Sequence, residues 1–191
     1  MIRDQVLYTT DDLDELEQQP ENRDRLLELI YGELHEKVPT EKHGLLAGLF
    51  FTFLFLFAEP RKLGYPSIEA RHKLPGDKHN ARMPDVSFRR ATTPLVTRGA
   101  VPKMPDLAIE IQSPTDTPRQ MREKAAYYLQ NGSEIVWLVY PRLRRVEVCT
   151  RDENGTMQIQ TLGSSDVLTG GAVLPGFTLA LREIFDRDIL K

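Results

Sequence analysis

Cysteine is nearly absent. The 191-residue chain has one, Cys149, so neither an intramolecular disulfide nor a cysteine zinc cage can form, which fits a reducing compartment. Cys149 lies in the alternating run Arg145-Val146-Glu147-Val148-Cys149-Thr150, which reads as a plain strand and not as the setting of a nucleophile. An excess of basic charge is also missing. The 25 Lys and Arg against 28 Asp and Glu leave a formal charge of −3 and a pI near 5.9, which argues against a generally basic nucleic-acid binder while leaving local patches free to act. Long hydrophobic runs are lacking as well. The uncharged stretch Leu45 to Ala58 holds five of the eight phenylalanines, yet it falls short of the about 20 residues that span a bilayer. A buried helix is expected there, with no membrane association. The N-terminus shows no basic start leading into an apolar stretch and a small-residue cleavage site, so secretion is not expected and a cytoplasmic protein is.

What remains is an ordinary core-forming composition. Aliphatic and aromatic residues make up 40% of the chain, enough for one domain over residues 1–191. Thr9 or Thr10 caps a short acidic helix within an N-terminal extension, residues 1–25. Leu26 to Ile30 and Glu33 to Val38 flank Tyr31-Gly32 as a hairpin, because the glycine supplies a positive φ. The Phe-rich helix follows, then a half-buried strand from Pro66 to Leu74, and Pro75-Gly76-Asp77 turns the chain into a strand at Asp85. An exposed connection, Thr92 to Lys103, leads to the next strand. Thr115 or Asp116 caps a helix with Pro118 in its first turn and Asn131-Gly132 at its end. Glu134 to Tyr140, with the sole tryptophan Trp137, reads as a central strand. The Val146 strand and Met157 to Leu162 complete a meander, and Leu174 to Phe177 leads into a short helix around Leu181 to Phe185. Strands before and after one prominent helix predict an α/β fold, a mixed sheet flanked by helices.

Two short strands each carry an acidic residue. In Pro105-Asp106-Leu107-Ala108-Ile109-Glu110-Ile111-Gln112-Ser113-Pro114 the alternation puts Asp106, Ala108, Glu110 and Gln112 on one face and Leu107, Ile109 and Ile111 on the other. A carboxylate such as Glu110 on so apolar a strand costs several kcal/mol or more to bury unless a cation, a donor network or a proton compensates it. In the preceding strand Asp85 and Ser87 share a face, so pairing of the two strands brings Asp85 close to Glu110, and two oxygens can then converge on one hard divalent ion. The competing reading is a pair of carboxylates bridged by Arg82, Arg119 or Arg122. Asp106 is a rival ligand on Glu110's face, although its place after Pro105 suits a turn-capping role better.

A wider set of residues carries a family likeness. Gly32-Glu33, His43 before the apolar helix, Pro84-Asp85-Val86-Ser87-Phe88, Pro105 to Glu110 with Ser113-Pro114, Lys124 with Tyr128 and Gly132, Val136-Trp137-Leu138-Val139 with Pro141, and Leu174-Pro175-Gly176-Phe177 occur in that order. Together they resemble the Uma-two family of restriction endonuclease-like proteins, a branch of the PD-(D/E)XK nuclease superfamily, from about Leu26 to Phe185. The resemblance implies a restriction endonuclease-like mixed β-sheet between helices and Mg²⁺-dependent hydrolysis of DNA phosphodiester bonds, with Mn²⁺ as a substitute. Asp85 and Glu110 would hold the ion.

The same resemblance assigns the remaining site residues and marks where this chain departs. A lysine is expected two residues after Glu110, and Gln112 stands there; an amide binds water but takes no proton. Lys124 on the following helix is the replacement, as activating base or charge stabiliser. Its alternative is a lysine paired with Glu123 or Glu110 for structure alone. Glu33 and His43 are accessory candidates, Glu33 through water on the metal and His43 through a phosphate or Glu33, against a solvated strand carboxylate and a helix-end hydrogen bond. Tyr31 stands where the family has aspartate. Arg82, Arg119 and Arg122 are the foremost candidates for contact with DNA phosphates. A homodimer is the simplest way to cut both strands of a duplex. The alternative for the whole chain is a nuclease fold that has lost catalysis and serves as a DNA-binding or protein-interaction module, for which Gln112 speaks.

Overall fold

The computed structural model describes residues 7–92 and 94–187. They fall into two compact units, one built from the chain up to Val38 with Arg71–Met83 and Val96–Lys103, the other from Pro39–Ala70, Pro84–Leu95 and the chain from Met104 onward.

In the first unit helix α1 (Thr10–Gln18) opens with a capping box, in which Thr9 and Asp12 satisfy each other's backbone N–H groups. Strands β1 (Leu26–Ile30) and β2 (Glu33–Lys37) pair antiparallel. The turn between them holds both Tyr31 (φ 51°) and Gly32 (φ 82°) in the left-handed region, the geometry whose twist matches a hairpin. Leu13, Leu27, Leu29 and Ala81 form its core, and Leu29 bridges Ala81. Ion pairs from Arg71 to Glu17 and from Lys73 to Asp14 close its edge.

The second unit is a six-stranded sheet. Its strands are β3 (Gly64–Ile68), β4 (Val86–Arg90), β5 (Leu107–Ile111), β6 (Ile135–Tyr140), β7 (Arg145–Arg151) and β8 (Met157–Gly163), in that spatial order. Only β5 and β6 run parallel, joined by helix α3 (Pro118–Gln130); the other neighbours are antiparallel. The mixed sheet matches the expected fold class. β5 and β6 are its buried centre, every residue of both being shielded from solvent, as a parallel pair covered on both faces requires.

Each face has its own cover. Val86, Phe88, Leu107, Ile109, Ile111, Trp137, Val139 and Val146 point to one side, where helix α2 (Glu41–Ala58) supplies Leu46, Phe50 and Leu54. Strands β9 (Val167–Gly170) and β10 (Leu174–Ala180) pair into a two-stranded sheet whose Phe177 stacks on Trp137 at 5.9 Å. Helix α4 (Arg182–Phe185) ends the described chain against β10. The opposite face carries Ser87, Ala108, Glu110, Leu138 and Glu147 by alternation and register, and α3 covers it with Met121, Ala125 and Tyr128.

Several expectations shift. The strand expected over Pro66 to Leu74 is β3, which ends at Ile68 because Glu69 turns with φ 50°; Pro66 is tolerated since β3 is an edge strand. Thr117, not Thr115 or Asp116, caps α3 and forms a capping box with Gln120. The β9–β10 pair was not expected. α2 runs four residues further back than the uncharged stretch and, by length and composition, is the one helix among the described residues able to cross a membrane. Its inner side nonetheless packs into the sheet core, while Phe55 and Leu56 remain exposed.

Candidate active site

Register places the two acids. Val86 pairs with Ile109, so Asp85, one residue before β4, faces Glu110 near the end of β5. Pro84 keeps the preceding backbone out of helix and delivers Asp85 directly into the strand. Both acids are buried, Asp85 1% and Glu110 2% exposed. The Asp85 carboxylate accepts the Ile111 backbone N–H at 2.7 Å on Oδ2, which ties it to the residue after Glu110. Its other oxygen, Oδ1, lies 3.1 Å from His43 Nε2. His43 is set there by the first turn of α2, where the Thr40 hydroxyl accepts its backbone N–H. The Nε2 atom is buried and has no aligned hydrogen-bond partner, so the contact is one of proximity.

Glu110 is held from α3. The Tyr128 hydroxyl donates to Oε1 at 2.8 Å and Lys124 Nζ donates to Oε2 at 3.2 Å. Residues four apart on a helix lie one above the other, so one turn of α3 brings a phenol and an ammonium to the same carboxylate. The Lys124 side chain is 20% exposed, against 3% for that of Glu110. Lys124 is thus the more exposed partner of this ion pair. The sequence reading took Lys124 and Tyr128 together as one family motif but gave Tyr128 no role; their four-residue spacing and the lone acid on β5 were the signal.

Asp85, Glu110, His43 and Lys124 are therefore brought together in one unit. Gln112 is not turned to the acids: its backbone N–H donates to Val139 at 2.9 Å and its side-chain amide to the Asp116 carbonyl at 2.9 Å. With Asp116 also accepting the Ser113 N–H at 2.9 Å, Gln112 shapes the turn that leads into α3. Asp106 sits at the far end of β5, bound to the Arg90 backbone and guanidinium at 2.8 and 3.3 Å. Glu33 belongs to the first unit, exposed beside His35.

The arginines expected at DNA sort differently. Arg82 is 4% exposed and lies within the first unit, donating to Asn80 with its guanidinium over the Tyr31 ring. It is a buried structural cation and not a surface one. Arg119 is open to solvent, paired with Glu123 one turn on. Arg122 reaches Glu147 on β7 with two hydrogen bonds, of 3.0 and 2.8 Å. Glu147 is 1% exposed and also accepts from Tyr140 and Arg145. Its carboxyl is held below the usual range by the Arg122 hydrogen bonds, against desolvation, while burial beside Glu147 raises the Tyr140 phenol and Glu147 raises Arg122. This buried ion cluster was not anticipated. The alternation of Arg145, Glu147 and Cys149 with two valines was its only trace.

The fold defines the class: a restriction endonuclease-like mixed sheet flanked by helices. A solved structure of a "putative nuclease belonging to DUF820" from Anabaena variabilis ATCC 29413 is similar over 91% of this chain and 97% of its own, with a TM-score of 0.74 and 21% identity. The Uma2 family model, described as "putative restriction endonuclease", matches residues 13–182, and the chain belongs to that family. No curated protein matches it.

Proposed function

We propose that the protein is a Mg²⁺-dependent endodeoxyribonuclease. The reading is carried by one observation: two buried carboxylates on adjoining strands, Asp85 and Glu110, with a lysine on the second. Among the described residues there is no cluster of three His, Cys, Asp or Glu side chains able to hold a metal. Mg²⁺ does not need one. It keeps several waters and is bound through one or two carboxylates together with substrate phosphate, so the acid pair fits the ion by number and by donor chemistry. When bound, the metal polarises the scissile phosphate and acidifies a coordinated water.

The chain's own residues supply the rest. Asp85 is held in place by the Ile111 N–H, and Glu110 by Tyr128, so the ligand oxygens need little reorganisation on binding. Lys124, paired with Glu110, places positive charge where a pentacovalent phosphate becomes more negative, and once released from Glu110 it can orient the attacking water, or take its proton after first losing its own to solvent. His43 contributes a donor near Asp85 for a phosphate oxygen. Gln112 leaves the lysine's usual position without a base, and Lys124 takes over that work from the helix. Arg119, exposed in the first turn of α3, meets the DNA backbone, so affinity falls with salt.

Plasmid nicking with Mg²⁺ or Mn²⁺ tests the reading. Wild type should nick supercoiled DNA, and Asp85→Asn and Glu110→Gln should not. Equal nicking by wild type and Asp85→Asn, or divalent-ion binding by calorimetry that survives Glu110→Gln, would remove it.

A further inference from the structure

Two cations on α3 reach over opposite flanks of the helix. Met121, Ala125 and Tyr128 form the stripe buried against the sheet. At about 100° per residue, Arg122 lies about 100° to one side of Met121 and Lys124 about 60° to the other. The helix rests on β6, with β5 and β7 on either hand. The sheet offers an acid to each flank: Glu110 on β5 pairs with Leu138 on β6, and Leu138 with Glu147 on β7. The two carboxylates thus stand in one row on one face, their strands about 9.6 Å apart, close to the width of the helix that lies between them.

We propose that Glu147 is a positioning residue: its pair with Arg122 fixes the roll of α3 on the sheet and so keeps Lys124 on Glu110. Glu147 is suited to be the fixed point, since Arg122, Arg145 and Tyr140 all donate to it in the interior. Lys124 is not. It meets Glu110 at 3.2 Å from the end of a flexible stem whose side chain is 20% exposed. Tyr128 anchors the second half of α3 through Glu110 and Arg122 anchors the first, with Lys124 between them. The positional claim stands by itself; its catalytic consequence rests on the nuclease reading.

Lysine labelling of the full chain by acetic anhydride, read by mass spectrometry, tests the position. Labelling of Lys124 should rise about fivefold in both Glu147→Gln and Arg122→Gln, the factor expected when one partly exposed ion pair is lost. Lys62 and Lys78, exposed in the native chain, serve as internal standards and should not change. Arg122→Gln decides the matter if Glu147→Gln fails to fold. Unchanged Lys124 labelling in a folded variant overturns the proposal. In nicking assays Glu147→Gln should lower kcat with KM nearly constant, and adding it to Lys124→Ala should cost nothing further; independent, multiplying losses overturn it. A wild type that nicks no DNA would defeat the nuclease reading and leave the labelling result to decide the positional claim.

Discussion

Lys124 Nζ donates to Glu110 Oε2 at 3.2 Å, the lysine side chain 20% exposed and that of the glutamate 3%. On the nuclease reading the lysine is placed beside whatever ion or water Glu110 would hold. Lys124→Ala should lower kcat for plasmid nicking by about 10²-fold or more, the range in which loss of a positioned proton-transfer group falls. Binding of duplex DNA in Ca²⁺, measured by fluorescence anisotropy, should change little. A variant that loses DNA affinity and keeps kcat would make Lys124 a backbone contact instead.

Tyr128 bears on the same carboxylate with a different outcome. Its hydroxyl is a buried donor to a charged acceptor at 2.8 Å, and such bonds contribute about 1.5–3 kcal/mol. Tyr128→Phe keeps the ring and its packing beside Tyr127, so urea denaturation should show a stability loss in that range with an unchanged m-value. No loss would mean that Glu110 finds another donor at once.

Local chemistry made much of this readable in the chain. Glu110 stood out because a charge on an all-apolar strand demands compensation, and Thr9, Gly32 and Pro118 marked turns and helix starts by requirements of backbone geometry. Contacts across the sheet were less visible. Nothing in the residues around Glu147 says that Arg122, 25 positions earlier, will meet it, because that meeting depends on α3 lying over β6. Gln112 was read by analogy with a lysine at its position and proved to hold the turn before α3. Arg82 was read as a cation for DNA phosphates, yet its whole segment, Asn80 to Met83, is buried and its guanidinium donates to Asn80. β9 and β10 escaped notice because neither has a strong alternating pattern, and Pro175-Gly176 interrupts the second.

Gly64 opens β3 where no side chain fits. A Cβ there would stand 2.1 Å from the Arg89 carbonyl oxygen and 2.8 Å from the Phe88 ring. Phe88 is a fully buried core residue, so neither neighbour can yield without moving β4. Gly64→Ala should destabilise the protein by about 3 kcal/mol or more, beyond the usual cost of overpacking, visible as a drop in thermal midpoint. Gly48→Ala is the control: nothing lies within 4 Å of a Cβ there, and alanine favours the helix.

Burial pushes the Cys149 thiol up to about 12. At pH 8 the thiolate fraction is then about 10⁻⁴. An aromatic disulfide reagent should react only as fast as the chain opens, and its rate should climb with urea in step with unfolding. Prompt stoichiometric reaction of native protein at pH 8 would show a solvent path to β7 that this packing does not contain.

The Glu147 cluster gives stability its own pH dependence. Hydrogen bonds from Arg122 hold the Glu147 carboxyl below its ordinary 4.5 in the folded chain, against the opposing effect of burial. The unfolded chain therefore binds the proton first as pH falls, so the stabilisation is fully present above pH 4.5 and drains away as pH drops through the lower, folded value. Glu147→Gln has no such titration. At pH 7 it should be less stable than wild type by about 1–2 kcal/mol, below the cost of breaking a fully buried pair because Arg122 is half open to solvent. As pH falls below 4.5 the gap should narrow, and it closes once the folded carboxyl is protonated. Chemical denaturation of both proteins at intervals from pH 7 to pH 3 checks this, and stability curves that stay parallel down to pH 3 would mean that the Arg122 bond to Glu147 contributes nothing in solution.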